Sequence, residues 1–140
     1  MANVIYNAFK KNIMNGSIDL DSDTIKVMLV TSSYTPDQDN HDYKDDVTNE
    51  VSGTGYTAGG ATLANKSVTQ DNTNDKGVFD ADDVTWSNST ITARGAVLYK
   101  DTGDASTSPL ICYFDFGEDK SSSSGDFTIQ WNADGILNLS

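Results

Sequence analysis

Apolar and polar residues alternate along much of the chain, and the fullest case is VTWSNSTITARGAVLYK, residues 84–100. Ile91, Ala93, Gly95, Val97 and Tyr99 fall on one side of an extended chain, and Thr92, Arg94, Ala96, Leu98 and Lys100 on the other. That period of two predicts a strand with a buried face. IKVMLV, residues 25–30, is apolar on both faces and predicts a central strand. Leu110, Cys112, Phe114 and Phe116 predict one strand face, with Ile111, Tyr113 and Asp115 behind it. Phe127, Ile129 and Trp131 alternate with Thr128, Gln130 and Asn132, an amphipathic strand. Asp134-Gly135 is a turn signal, and Ile136, Leu137 and Leu139 predict a last short strand. Ile18 and Leu20 alternate with Asp19 and Asp21 in the same way, and Ala61, Leu63 and Val68 predict a strand after the glycines at 53, 55, 59 and 60.

The first sixteen residues have a different period. Ile5, Phe9 and Ile13 are four apart, with Val4 and Ala8 beside them, which predicts a helix over residues 1–16. Asn3 is placed to cap it, Lys10 and Lys11 suit its C-terminal dipole, and Gly16 fits the position after its end. Such a helix either packs on its own sheet or docks on a neighbouring subunit. Residues 31–43, 69–77, 101–108 and 118–125 read as loops, the last a flexible serine-rich one, and residues 45–51 as a helical turn. The prediction is one all-β domain over residues 1–140, an antiparallel β-sandwich or jelly-roll-like fold with a short N-terminal α-helix.

Composition changes this picture little. Hydrophobic residues make up only 36% of the chain, a level compatible with disorder. The clean strand and helix patterns exclude that reading. A formal net charge of -12 repels nucleic acid and anionic membranes, so neither is an expected partner; a basic protein surface is compatible. No apolar run approaches the ~20 residues of a membrane span. The N-terminal lysines follow the apolar residues, the reverse of a signal peptide, which predicts a cytoplasmic site of synthesis. The lone Cys112 lies in an apolar run, excludes an intrachain disulfide and reads as a buried thiol.

Catalytic and metal chemistry find little support. Asp19, Asp21 and Asp23 have the opening spacing of a calcium loop but lack the glycine and glutamate that complete it. Asp71, Asn74 and Asp75, or Asp80, Asp82 and Asp83, are oxygen-rich without a reason to converge. His41, the single histidine, sits in a polar loop without evident partners and reads as solvated; a triad or a zinc site would need it. No catalytic residue, metal ligand or cofactor is therefore expected, and the chain reads as a non-enzyme. Arg94, the one arginine, sits at a strand centre beside Gly95. It predicts a bulge that swings it outward or an ion pair, with Asp83 and Asp115 as partners, or else a contact at a subunit interface.

Three stretches, NVIYNAFKKNIMNGSIDLDSDTIKVMLVTSSYTPDQDNH, NEVSGTGYTAGGATLANKSVT and GVFDADDVTWSNSTITARGAVLYKDTG, together resemble a group of small virion structural proteins of tailed bacteriophages. The resemblance runs over nearly the whole chain, and its motifs are structural, so it carries no active site. It implies a virion part, best matched by a head decoration (cement) protein. Such proteins are made in the host cytoplasm, are often homo-oligomeric, and bind the major capsid protein lattice on the capsid exterior. Lys10, Lys11 and Arg94 are then the expected interface residues. The alternative is a tail or fibre component that binds a host surface through exposed aromatics such as Tyr34, Tyr43 and Tyr56.

Overall fold

The computed structural model describes residues 2–140. The protein is all-β, with antiparallel sheets and one short helix near the N-terminus. Strand β1 (Val4–Ile5) precedes helix α1 (Asn7–Met14). β2 (Ile25–Val30), β3 (Ala61–Thr62), β7 (Thr92–Lys100) and β8 (Leu110–Ser121) join β1 in a five-stranded sheet of order β1-β8-β7-β2-β3. β4 (Ser67–Asp71), β5 (Lys76–Asp80) and β10 (Leu137–Leu139) form a second sheet, ordered β10-β5-β4. β6 (Val84–Ser89) and β9 (Gly125–Ile129) pair as a third.

β2 is buried on both faces, as a central strand should be. Ile25, Val27 and Leu29 point into one core; Met28 and Val30 point into another. The first core lies between the five-stranded sheet and the two smaller sheets. There Leu98 and Ala96 share one apolar cluster with Phe79, Trp86, Phe127 and Ile129, so the arrangement is sandwich-like. Each large side chain buried there contributes about 1.5–3 kcal/mol. The second core lies on the opposite face. Tyr6, Tyr34, Val97, Tyr99, Leu110 and Tyr113 fill it, and the 31–47 segment covers it through Tyr34 and Val47.

The alternation of β7 changes phase at Arg94. Ile91 and Ala93 lie in the first core with Ala96 and Leu98, although strict period two puts them on opposite faces. β8 changes phase too. Leu98 pairs with Cys112 and Tyr99 with Leu110, leaving Ile111 as an extra residue. Leu110 therefore joins Tyr113 in the second core, and Ile111 turns into the first, reversing both sequence assignments.

The helix is shorter than residues 1–16. Val4 and Ile5 pair with Tyr113 and Cys112 of β8, a ladder that suits two β-branched residues better than a helical turn. Tyr6 is the N-cap, without a side-chain cap, and Asn3 Oδ1 instead accepts the Asp115 N–H at 2.8 Å. Asn15 closes the helix, and Gly16 follows at φ +78°. Phe9 and Ala8 are buried, whereas Ile5 is 39% exposed.

Four other assignments also move. Residues 84–100 form two strands in different sheets, separated at residues 90–91; Asn88, near the end of the first, has φ +51°. Residues 69–77 contribute to β4 and β5, with the turn confined to the middle. The serine-rich loop is shorter than residues 118–125, because β8 continues to Ser121, paired with Thr92. Residues 45–51 hold only a 3₁₀ turn, Lys44–Asp46, before the chain extends and the Val51 N–H donates to Leu29 O at 2.9 Å. Gly60 has a positive φ of +80°, and an added Cβ would overlap Val27 O, the close backbone approach expected of this glycine-rich stretch.

Candidate functional site

Arg94 sits where β7 and β8 lose register. Ala93 pairs with Lys120, and two residues on Gly95 pairs with Asp115, so residues 116–119 of β8 loop out opposite Arg94. Gly117, at φ +84°, makes the turn. Its N–H and the Arg94 Nε–H both donate to Asp115 Oδ1 at 2.9 Å. Bulge and ion pair, the two intramolecular alternatives for Arg94, thus occur together. Asp115 is the partner. Asp83 lies elsewhere and accepts the Trp131 N–H at 2.9 Å. The Asp115 side chain is 4% exposed and that of Arg94 27%. The Gly117 N–H, and after it the Arg94 guanidinium, hold the Asp115 carboxyl down at about 2. Through Asp115 this bulge is also tied to Asn3.

Most other cations are engaged. Lys26 pairs with Asp101 at 3.2 Å, Lys100 with Asp23 at 3.0 Å and Lys120 with Glu118 at 2.8 Å. Lys66 Nζ donates to Asp23 O at 2.6 Å, and Lys44 Nζ lies 5.5 Å from the Tyr99 ring centre. Lys10 and Lys11 differ. Both are exposed on α1, and among the described residues Lys10 reaches only the neutral Asn7 side chain, at 3.2 Å. Met14, on the same helix, is 86% exposed. One surface of α1 therefore presents two cations and a thioether on an otherwise acidic molecule.

The acidic motifs bind their own backbone. Residues 18–23 are a turn, not a strand: Asp19 Oδ1 accepts the Asp21 and Ser22 N–H groups at 3.0 and 3.3 Å, and Asp23 Oδ2 accepts the Asp19 N–H at 2.8 Å. Asp71 likewise accepts the Thr73 and Asn74 N–H groups at 3.0 and 3.1 Å. These bonds lower the Asp19 and Asp71 carboxyls below their usual range, led by Ser22 and Asn74 side chains respectively. Among the described residues no three His, Cys, Asp or Glu side chains gather as a metal site.

His41 is not simply solvated. Its ring stacks on Tyr34 at 5.6 Å, and its Nδ1 meets the Tyr34 hydroxyl at 2.9 Å and the Asp37 N–H at 3.1 Å. Nothing near His41 in sequence signals this, because the hydroxyl that reaches it is fixed from the second core. The tyrosines of the host-binding alternative are dispersed as well. Tyr34 is 1% exposed, and Tyr56 is half-buried with its hydroxyl donating to Glu50 Oε2 at 2.6 Å. Only Tyr43, 41% exposed, remains at the surface.

Glu50 and Tyr56 form a junction that the sequence pattern did not reveal. The Leu29 N–H donates to the Tyr56 hydroxyl at 3.0 Å, and the Gly59 N–H donates to Glu50 Oε2 at 2.7 Å. The pair fastens the 50–60 loop to the outer edge of β2. A shallow groove of about 310 Å³ borders Glu50, with Thr31, Thr90 and Thr92 along it. Another, of about 370 Å³, runs between Phe116 and Lys120 of β8 and residues 126–130. Cys112 is buried in the first core, and burial pushes its thiol up, away from nucleophilic reactivity.

No described helix is long and apolar enough to cross a membrane. A scan against protein-family models, a search of curated proteins and a search of solved structures each return no match.

Proposed function

We propose that this protein is a structural component of a tailed-phage virion, a decoration protein that binds the major capsid protein lattice on the capsid exterior and stabilises it. The sequence likeness set out above motivates the reading. The structural observation that carries it is the surface of α1, where Lys10 and Lys11 lack acidic partners among the described residues and Met14 is exposed. Cations beside an apolar side chain suit an interface with an acidic surface. Stable interfaces bury about 1,200–2,000 Å², an area that a decoration protein reaches by sharing contacts among several lattice subunits. Holding those neighbours together is the mechanism: shared contact area resists outward pressure. Arg94, committed to Asp115, supports the fold of this end more than it offers a free contact. A tail or fibre module remains the rival. Burial of Tyr34 and half-burial of Tyr56 remove two of the three aromatics it relies on.

The test uses expanded capsids that lack the protein. Purified protein binds them to a saturation set by lattice symmetry and raises their disruption temperature. The double variant Lys10→Glu/Lys11→Glu binds at least tenfold more weakly, while Lys76→Glu on β5, a charge-reversal control, does not. Deleting the first fifteen residues is unsuitable, because it removes β1 and the buried Tyr6 and Phe9. Labelling of intact particles that finds the protein only on the tail overturns the proposal.

A further inference from the structure

The Tyr6 and Tyr34 hydroxyls lie 2.8 Å apart in the second core, and the Tyr34 hydroxyl lies 2.9 Å from His41 Nδ1. Proton directions along this chain follow from one bond. The Asp37 backbone N–H points at the same Nδ1 from 3.1 Å and can only donate. Nδ1 is therefore an acceptor, the ring carries its proton on Nε2, and Tyr34 donates to it. Tyr34 then accepts from Tyr6. Every donor in the row points toward His41.

We propose that His41 is a pH-sensitive latch that holds the 31–43 segment over the second core while its ring is neutral and releases it when the ring is protonated. A proton on Nδ1 opposes the Asp37 N–H directly. It also turns Tyr34 from a donor to His41 into an acceptor from it. Of the two hydroxyl hydrogens in the row, on Tyr6 and Tyr34, one is then left without an acceptor among the described residues, and Tyr6 is 0% and Tyr34 1% exposed. A buried donor without an acceptor is costly. Moving the segment away from the core relieves both conflicts.

The charged groups around the ring are Asp37, on its own loop, and Asp46, from the 3₁₀ turn; both carboxylates act electrostatically on it. They favour a protonated ring and so oppose the hydrogen-bond cost. On the core side the ring meets Tyr34, behind which stand Tyr6 and Tyr113. The Asn40 side chain leads the lowering of the Asp37 carboxyl, and the Tyr43 N–H that of Asp46. Both acids accordingly stay ionised from pH 8 to pH 5, a window that spans the ordinary imidazole range.

Amide hydrogen exchange on the full chain, corrected for the intrinsic pH dependence of exchange, tests the latch. Between pH 8 and pH 5 the amides of residues 34–43 lose at least tenfold in protection, while those of β2 and β7 keep theirs. In His41→Gln, whose side-chain oxygen accepts but does not titrate, that difference disappears. Nitrogen chemical shifts of the wild-type imidazole provide a second reading that no variant is needed for: at pH 8 they show the proton on Nε2. Unchanged protection in the wild type, an equal pH response in His41→Gln, or an Nδ1-protonated neutral ring each overturns the proposal.

Discussion

The Arg94 guanidinium and the Asp115 carboxylate meet at 2.9 Å where β7 and β8 fall out of register, and the same carboxylate oxygen receives the Gly117 N–H. The ion pair thus closes a loop-out of β8 that would otherwise open toward solvent. Because Arg94 keeps part of its side chain in water, the pair behaves more like a surface bridge than a desolvated one.

Asp115 makes the first prediction. Its folded carboxyl titrates at about 2, below the ordinary aspartate value of about 3.9. A depressed folded value means stability that is present above the unfolded pKa and is lost as pH falls through the folded one. Asp115→Asn therefore melts below the wild type at pH 7, and the gap closes between about pH 4 and pH 2. Melting midpoints across that range measure it; a gap that stays constant down to pH 2 contradicts the assignment.

Gly95 stands beside the bulge with its backbone against β8. A Cβ added there lies 2.6 Å from Phe114 O and from the Tyr113 ring. The carbonyl belongs to a paired strand and cannot swing aside. Gly95→Ala is expected to cost about 1–3 kcal/mol, the usual penalty for overpacking. Denaturant unfolding reads the value, and a neutral substitution shows that the two strands separate more easily than their pairing implies.

Tyr56→Phe isolates the junction with Glu50. The ring stays, but the Leu29 N–H loses its acceptor and Glu50 loses a donor. Leaving a buried N–H unpaired costs about 1–3 kcal/mol. Equilibrium unfolding should show that loss together with faster amide exchange at Leu29, since both arise from one missing oxygen. Stability equal to the wild type means that water replaces the hydroxyl.

Calcium should matter little. The Asp19 and Asp71 carboxylates are occupied by their own turns. Thermal melts with millimolar calcium and with chelator are expected to agree within a few degrees, where ~1 kcal/mol of binding stabilisation moves a domain of this size by about 2–8 °C. A shift beyond about 10 °C demands a real site.

How much of this was legible in the sequence depended on whether a local pattern controlled the outcome. Residues 25–30 and 127–129 are unambiguous because burial on two faces, or on one, writes itself directly into the residue order. The phase changes at Arg94 and Ile111 were not, since a bulge is set by the partner strand and erases the period that reveals it. Val4 and Ile5 carry a helical spacing and become a strand only because β8 offers an edge. Among the candidate site residues, the Arg94–Asp115 pair was foreseeable from the cost of burying an arginine. His41 was not, because its partner hydroxyl comes from a tyrosine that the pattern placed in a polar loop.

The ladder between Val4–Ile5 and Cys112–Tyr113 also has a consequence in time. At ~5–20 residues per second a ribosome needs roughly 5–20 s to travel from one partner to the other. Throughout that interval β1, Tyr6 and Phe9 have no β8 of their own chain to meet. Contacts of the first residues made thus wait until most of the chain has been synthesised, and in a polysome a neighbouring nascent chain can offer its β8 first, the route to an exchanged dimer. Limited proteolysis of stalled nascent chains reads the order: residues 4–14 gain protection only after residue 115 has emerged, and earlier protection refutes it.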